Sequence, residues 1–189
     1  RKDLRGIALV RLDFNTEDEW RIQAAIPTLK FLRSRADTIV IVSHRGRPTG
    51  SNNADKKLSL RRETKALSKM LDTRVNFIPH FRFAEIRREV QSAPQGSVFL
   101  LENIRFLKSE MTPRPELARR LASLADYYVN DAFAVCHRRE DSVTGVERFL
   151  PSYAGLELEK ELRILTKVRE KAQKPFVVIL GGGKVEDKL

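Results

Sequence analysis

The sequence predicts an α/β fold in which a doubly wound parallel sheet is covered by helices on both faces, a Rossmann-like three-layer sandwich. Short apolar runs alternate along the chain with segments of helical periodicity, and this alternation is typical of parallel sheets. Some runs, such as Ile39–Val42, are apolar at every position, which indicates strands buried on both faces. Five runs end abruptly in a polar or glycine-rich turn. We therefore expect these turns to gather at one edge of the sheet.

Each predicted element rests on a local pattern. The strands are apolar runs bounded by turn residues, and the helices carry apolar residues on one face. Pro115 suits a first helical turn, whereas Pro27 should kink the first turns of its helix or delay the start. In chain order we predict strand Ile7–Leu12, helix Arg21–Ser34, strand Ile39–Val42, loop Thr49–Lys57, helix Leu60–Leu71, strand Val75–Ile78, helix Glu85–Gln91, strand Val98–Leu101, helix Pro115–Ala125, strand Tyr127–Val129, loop Asn130–Ser142, connector Pro151–Gly155, helix Glu157–Ala172 and strand Phe176–Leu180.

The composition limits the class of protein. With 189 residues the chain can form one domain with a sizeable core but is short for two. No apolar run reaches the roughly 18–20 residues of a membrane span, and the first apolar segment is too short for a signal peptide. The single cysteine, Cys136, rules out an internal disulfide and fits a reducing compartment, so we expect a cytoplasmic location. We also expect a monomer. Because the chain starts at Arg1 rather than Met, we also expect a fragment or a processed product.

The net charge of +11 indicates an anionic partner. Nucleic acid is the generic candidate, but the chain has no Cys/His zinc spacing, no aromatic–basic RNA motif and no basic heptad helix. Aromatic residues make up only 7% of the chain, and Phe14, Phe106 and Phe133 lie within the turn motifs. Packing beneath a loop is favoured for them over base stacking, so nucleic acid is the less favoured partner.

The turns after the strands carry most of the candidate chemistry. The turn after Ile39–Val42 contains His44, Arg45, Gly46 and Arg47, which indicates an anion site at the strand end. Taken alone, the less favoured alternative is a solvated basic loop. The other strands also end in polar or glycine-rich turns, and most of the turns carry a cation, which favours a common anion-binding rim over random surface charge. The other turns are Asp13-Phe14-Asn15, Glu102–Phe106 with Arg105, Asn130–Arg138 with Arg138, and Gly181-Gly182-Gly183-Lys184.

The motifs LVRLDFN, SHRGRP, LLENIRF, YVNDAF followed by HR, and VVILGGGKVEDK resemble, in this order, those of phosphoglycerate kinase. The resemblance covers essentially the whole chain. Members of this family have an N-terminal phosphoglycerate domain, a connecting helix and a C-terminal nucleotide domain. The resemblance therefore implies the first domain of a two-domain kinase, with a phosphoglycerate-binding domain over 1–155, a connecting helix over 156–173 and the start of a truncated nucleotide-binding domain over 174–189.

The resemblance also implies site residues and ligands. The substrates would be 3-phosphoglycerate and 1,3-bisphosphoglycerate with ATP or ADP, and Mg²⁺ would accompany the nucleotide through ligands outside this chain. Arg21 and Lys188 would be the catalytic pair. Substrate binding would fall on Asp13, Phe14, Asn15, Arg21, His44, Arg45, Gly46, Arg47, Arg105 and Arg138, and nucleotide binding on Gly181, Gly182, Gly183, Lys184 and Lys188.

The residue types suit this chemistry. 3-Phosphoglycerate carries a phosphate and a carboxylate, for which guanidinium groups are natural partners. The carboxylate is the nucleophile and is ionised at neutral pH, so no general base is needed. Catalysis then reduces to positioning and to neutralising charge on the transferred phosphoryl group. The glycine-rich loop at 181–184 is not a P-loop, because Val185 stands where Ser or Thr should follow the lysine.

The chain departs from the family pattern in four places. The loop after Asn15 is shorter than usual, Arg45 stands where leucine is common, and Ala134-Val135-Cys136 replaces Gly-Thr-Ala. The segment Arg139-Glu140-Asp141 replaces one that normally contains a second histidine. That last change places two carboxylates beside an anion site.

Two other functions stay open at this point. The chain could be a non-catalytic relic that holds RNA or another polyanion on its basic rim. It could instead be an interaction protein that pairs through Phe176–Leu180. Under the kinase hypothesis, this chain alone binds 3-phosphoglycerate weakly and has no measurable turnover, because most of the nucleotide site is missing.

Overall fold

The computed structural model describes residues 4–50, 55–112, 115–177 and 179. Its centre is a sheet of six parallel strands. The strands are β1 (Ile7–Arg11), β2 (Thr38–Val42), β3 (Val75–Ile78), β4 (Ser97–Leu101), β5 (Tyr127–Asn130) and β6 (Ser152–Ala154), and the helices are α1 (Trp20–Arg33), α2 (Arg61–Leu71), α3 (Phe83–Gln91), α4 (Lys108–Met111), α5 (Pro115–Ala122) and α6 (Leu156–Lys171).

Helices cover both faces of the sheet, so the predicted doubly wound three-layer fold is confirmed. Alternate residues of a strand enter different apolar cores because successive side chains point to opposite faces. Val10 of β1 shares one core with Leu29 of α1 and Leu67 of α2. Leu9 of the same strand shares the other core with Leu121 of α5.

The strand order is β3-β4-β2-β1-β5-β6. From β1 the chain passes to β2 on one side, whereas from β5 it passes to β6 on the other side. Connections that leave two neighbouring strands in opposite directions open a crevice at their carboxyl ends, where ligands of such sheets bind. The turns after β1 and β5 therefore border the switch point of this fold.

The structure differs from the sequence-based prediction at three elements. Helix α1 begins at Trp20 and continues through Pro27 to Arg33, because its buried side chains hold it on the sheet despite the missing backbone donor. The predicted connector Pro151–Gly155 contains β6, which pairs with β5. Its three residues, Ser152–Ala154, are half-buried at most, so no apolar run marked them as a strand. The short helix α4 was not predicted either.

Helix α6 is anchored to the sheet at its first turn. Asp131, just after β5, accepts hydrogen bonds from the backbone N–H groups of Glu157 and Leu158 at 2.9 and 3.0 Å. Thr28 accepts another from Leu156 at 2.9 Å. These contacts satisfy orphan donors of the helix N-terminus. The helix therefore starts at a fixed point beside the switch-point crevice.

The predicted strand Phe176–Leu180 lies partly outside the described residues. Its described members, Phe176, Val177 and Ile179, are exposed and belong to no strand. Across the described ranges, no helix has the length and apolar character needed to cross a membrane.

A candidate anion-binding site at the strand ends

The basic turn after β2 is held in place by two asparagines. Asn103 donates through Nδ2 to the carbonyl oxygens of Arg45 and Leu58 at 2.8 and 2.9 Å. Asn15 accepts from the backbone N–H of Gly46 at 2.7 Å. Gly46 has a φ of +59°, and a Cβ there would lie 2.7 Å from the Leu58 side chain. The turn is therefore well held, and glycine is favoured at its centre because a side chain there would be strained and would displace Leu58.

Asp13 orients Arg21 at the mouth of the crevice. The Asp13 carboxylate accepts a hydrogen bond from the Asn15 backbone N–H at 2.9 Å and forms an ion pair with the Arg21 guanidinium. Arg21 lies in the first turn of α1, and a quarter of its side chain is exposed. The shorter loop after Asn15 thus leaves Asp13 and Arg21 in contact.

Arg11, the last residue of β1, is a buried cation that the sequence-based prediction missed. Its side chain is wholly inaccessible to solvent. Nε donates to Ser142 Oγ at 2.8 Å, and Nη2 lies 3.1 Å from His44 Nδ1 and 3.5 Å from Glu140 Oε2. A charge inside an otherwise apolar strand, IALVRL, is the signal that could have identified it, since arginine is almost never fully buried unless it is paired.

His44 is a neutral, fully buried hydrogen-bond donor. A guanidinium can only donate, so the contact from Arg11 to Nδ1 places the ring proton on Nε2. Burial and the charges of Arg11 and Arg105 hold the pKa of His44 well below its ordinary value. Asp13 Oδ1 lies 3.8 Å from Nε2, too far for a hydrogen bond, and Nε2 has no acceptor among the described residues.

Arg105 and Arg138 converge on one carboxylate. Glu140 Oε1 lies 2.5 Å from Arg105 Nη2 and 3.4 Å from Arg138 Nη1. Arg105 also donates to the carbonyl oxygen of Gly46 at 2.9 Å, which ties it to the basic turn. Arg105 and Glu140 are buried, whereas about a quarter of the Arg138 side chain is exposed.

Several buried donors of this cluster lack an acceptor among the described residues. They include the Nε atoms of Arg21, Arg105 and Arg138 and the Nε2 atom of His44. An unsatisfied buried donor costs about 1–3 kcal/mol, so a ligand rich in acceptor oxygens would be stabilised here. Arg47, on the same turn, is exposed and has no ion pair with another described residue. Its guanidinium is available to a ligand.

Two predicted binding residues support the site from beneath. Phe14 is buried in the core, and its backbone N–H donates to Ser43 Oγ at 2.9 Å. The Arg45 guanidinium is 2.5 Å from the buried carboxylate of Glu63 and donates to the carbonyl oxygen of Thr16 at 2.7 Å. The predicted nucleotide-binding residues Gly181, Gly182, Gly183, Lys184 and Lys188 lie outside the described residues.

Glu110 closes the buried network behind the site. It lies on α4, is inaccessible to solvent, and accepts from the Ser142 backbone N–H at 3.0 Å and from the Ser142 hydroxyl. Burial raises the pKa of Glu110 to about 7 from its ordinary 4.5. Ser142 also accepts a hydrogen bond from Arg11, so it connects Glu110 to the buried cation of the site.

This network predicts a pH dependence of stability. Between pH 4.5 and 7 the folded state binds a proton at Glu110 that the unfolded state releases, so stability falls as the pH rises through this window. Relative to Glu110→Gln, the wild-type chain should lose on the order of 2–3 kcal/mol of unfolding free energy between pH 5 and 8. Urea unfolding at both pH values measures the difference, and parallel pH profiles would contradict it.

The sequence comparisons point to one family. A family model described as phosphoglycerate kinase matches residues 5–189. The phosphoglycerate kinase of Dictyoglomus turgidum is 43% identical over an alignment that covers 100% of this chain and 49% of the relative. A protein named "Phosphoglycerate kinase, cytosolic" from Nicotiana tabacum is 42% identical, with 99% and 48% covered. The chain thus spans about half the length of the curated relatives it matches.

Solved structures give the same result. Phosphoglycerate kinase from Pyrococcus horikoshii superposes with a TM-score of 0.86 at 30% identity, covering 98% of this chain and 49% of that one. The enzyme from Coxiella burnetii superposes with a TM-score of 0.82 at 33% identity, covering 99% and 48%. Fold, motif order and sequence identity agree, and the chain belongs to the phosphoglycerate kinase family.

Proposed function

We propose that this chain carries the phosphoglycerate-binding half of a phosphoglycerate kinase. The observation that carries the proposal is the set of buried donors at the switch point that find no acceptor in the described part of the chain, on Arg21, His44, Arg105 and Arg138. An anion with several acceptor oxygens supplies the missing hydrogen bonds, and charge-assisted bonds are the strongest of this kind. The identities and order of the motifs make 3-phosphoglycerate and 1,3-bisphosphoglycerate the ligands we propose.

Each of these residues has a proposed role in binding the ligand. Arg47, Arg105 and Arg138 neutralise its acidic groups, and His44 donates a hydrogen bond from Nε2. Asn15 and Gly46 fix the turn that carries Arg47. Arg21, oriented by Asp13, stabilises charge on the phosphoryl group in transfer.

The proposed reaction needs no general base. The substrate carboxylate is ionised at neutral pH and attacks the phosphoryl group itself. His44 has a strongly lowered pKa and stays neutral, so it serves as a donor and not as a proton carrier. Catalysis by these residues consists of alignment and charge neutralisation.

The nucleotide and its Mg²⁺ are proposed to bind elsewhere in the whole protein. Within the described ranges, no three or more His, Cys, Asp or Glu side chains are grouped so that they could hold a metal ion. Lys184 and Lys188 stay proposed nucleotide-side residues, with Lys188 the proposed catalytic partner of Arg21.

The proposed division of the chain is a phosphoglycerate domain over 1–155, a connecting helix over 156–173 and the start of a nucleotide domain over 174–189. Of the α6 side chains only Leu158 is buried. Five large apolar residues of this helix are exposed by two-fifths or more: Leu156, Leu162, Ile164, Leu165 and Val168. We propose that the rest of a whole phosphoglycerate kinase covers them.

A calorimetric titration of the chain with 3-phosphoglycerate tests the proposal, with inorganic phosphate as the control. We expect saturable binding that is tighter than phosphate binding and persists at physiological salt. Binding no tighter than phosphate would overturn the proposal. Arg105 is buried, and only about a quarter of the Arg21 and Arg138 side chains is exposed, which favours a small ligand over an extended RNA. An RNA affinity that falls steeply with salt would support the alternative. A coupled ATP assay on the chain alone should show no turnover.

A further inference from the structure

Glu140 occupies the centre of the arginine cluster. Its carboxylate lies within 3.5 Å of three guanidinium groups, those of Arg11, Arg105 and Arg138. Only 5% of its side chain is exposed. An acidic ligand of the cluster would need the same N–H groups that this carboxylate now holds.

Backbone hydrogen bonds hold the segment that carries Glu140. Its carbonyl oxygen accepts from the backbone N–H groups of Val143 and Thr144 at 3.0 and 2.9 Å. Ser142 is bound to both Glu110 and Arg11. These contacts hold the backbone of the segment, and the Glu140 side chain extends to the arginines.

The cluster has more positive than negative charge even with Glu140 present. Three guanidinium groups face this carboxylate, and the Nε atoms of Arg105 and Arg138 have no acceptor among the described residues. The cluster still attracts an anion, but some of its arginine N–H groups already bind the Glu140 carboxylate. The carboxylate therefore lowers the affinity that the arginines alone would give.

We propose that Glu140 is an affinity-setting residue, an internal carboxylate that fills one anion position of the arginine cluster and competes with the acidic group of the ligand. The alternative is a positioning role, in which Glu140 holds Arg105 and Arg138 in the orientation that a ligand needs. The two roles predict opposite signs for removal of its charge. The inference rests on the proposed phosphoglycerate site for the identity of the natural ligand, although inorganic phosphate can test it separately.

The test is the Glu140→Gln variant, which keeps the side-chain shape and removes the charge. Calorimetry at low chloride should show inorganic phosphate bound about tenfold more tightly than by the wild-type chain, the effect of about one charge-assisted hydrogen bond. Glu89→Gln is the matched control, since it changes net charge equally at an exposed position of α3. It should leave the phosphate affinity unchanged. Equal or weaker phosphate binding by Glu140→Gln would overturn the proposal.

Thermal unfolding provides a second readout if the variant is poorly folded without ligand. A ligand that binds only the folded state raises the unfolding temperature, so phosphate should raise that of Glu140→Gln by more than that of Glu89→Gln. Equal shifts would contradict the proposal.

If Glu140→Gln gains phosphate affinity while the wild-type chain shows no preference for 3-phosphoglycerate, the inference holds and the proposed function fails. If the wild-type chain prefers 3-phosphoglycerate but the variant gains no phosphate affinity, the proposed function holds and the inference fails.

Discussion

Replacing Arg11 by methionine is expected to lower the unfolding free energy by about 3–5 kcal/mol, the cost of removing one partner from a buried ionic network. Methionine fills much of the volume but leaves Ser142 Oγ and His44 Nδ1 without their partner. It also leaves Glu140 with one guanidinium fewer. Urea denaturation followed by circular dichroism measures the change.

The control for this variant is Arg82→Met. Arg82 is largely exposed and pairs with the exposed Glu85, and such surface pairs contribute about 0–1 kcal/mol. The wild-type and Arg82→Met chains should therefore unfold at nearly the same urea concentration. A loss for Arg11→Met as small as that of the control would show that the buried network contributes little to folding.

The second large effect concerns ligand binding. Arg47→Ala and Arg105→Ala should each weaken 3-phosphoglycerate binding by roughly 1.5–3 kcal/mol, the range for a hydrogen bond to a charged group. Arg47 is the cleaner test, because it is exposed and its loss should not disturb folding. Arg105 is buried against Glu140 and Gly46, so its variant needs a parallel unfolding measurement.

Lys69→Ala is the matched control for these titrations. Lys69 is an exposed cation of α2, far in sequence from every strand-end turn. Its loss lowers the net charge as much as the loss of Arg47 but should leave the affinity unchanged. If Arg47→Ala and Arg105→Ala also bind with wild-type affinity, the proposed site is wrong.

The fold could be predicted from the sequence because its strands and helices carry strong periodic signals. The strand over 39–42 is apolar at every position and lies buried between two layers, as expected. The edge strand β6 has only three residues and no apolar run, so its pairing with β5 depends on contacts distant in sequence. Pro27 misled the prediction because the packing of α1 on the sheet outweighs the lost hydrogen bond.

The site could be predicted in part. Residues at strand ends gather there by topology alone. Asp13 pairs with Arg21, whereas His44, Arg105 and Arg138 gather around Arg11 and Glu140. Hydrogen bonds of Asn15 and Gly46 join the two groups. The direction in which a side chain points could not be predicted. Arg45 turns to Glu63, and Arg11 was overlooked because it lies inside an apolar strand. These outcomes depend on partners that are distant along the chain.

The most direct test of the proposed site is a nuclear magnetic resonance titration of the ¹⁵N-labelled chain with 3-phosphoglycerate, following the arginine Nε–H signals. The buried donors without acceptors predict that the signals of Arg105 and Arg138, assigned with their variants, shift and saturate together at the affinity given by calorimetry. The signal of Arg82, which already donates to Glu85 at 2.7 Å, should not move. If the Arg105 and Arg138 signals stay unchanged while the signals of exposed arginines shift, the ligand binds elsewhere and the proposed site is wrong.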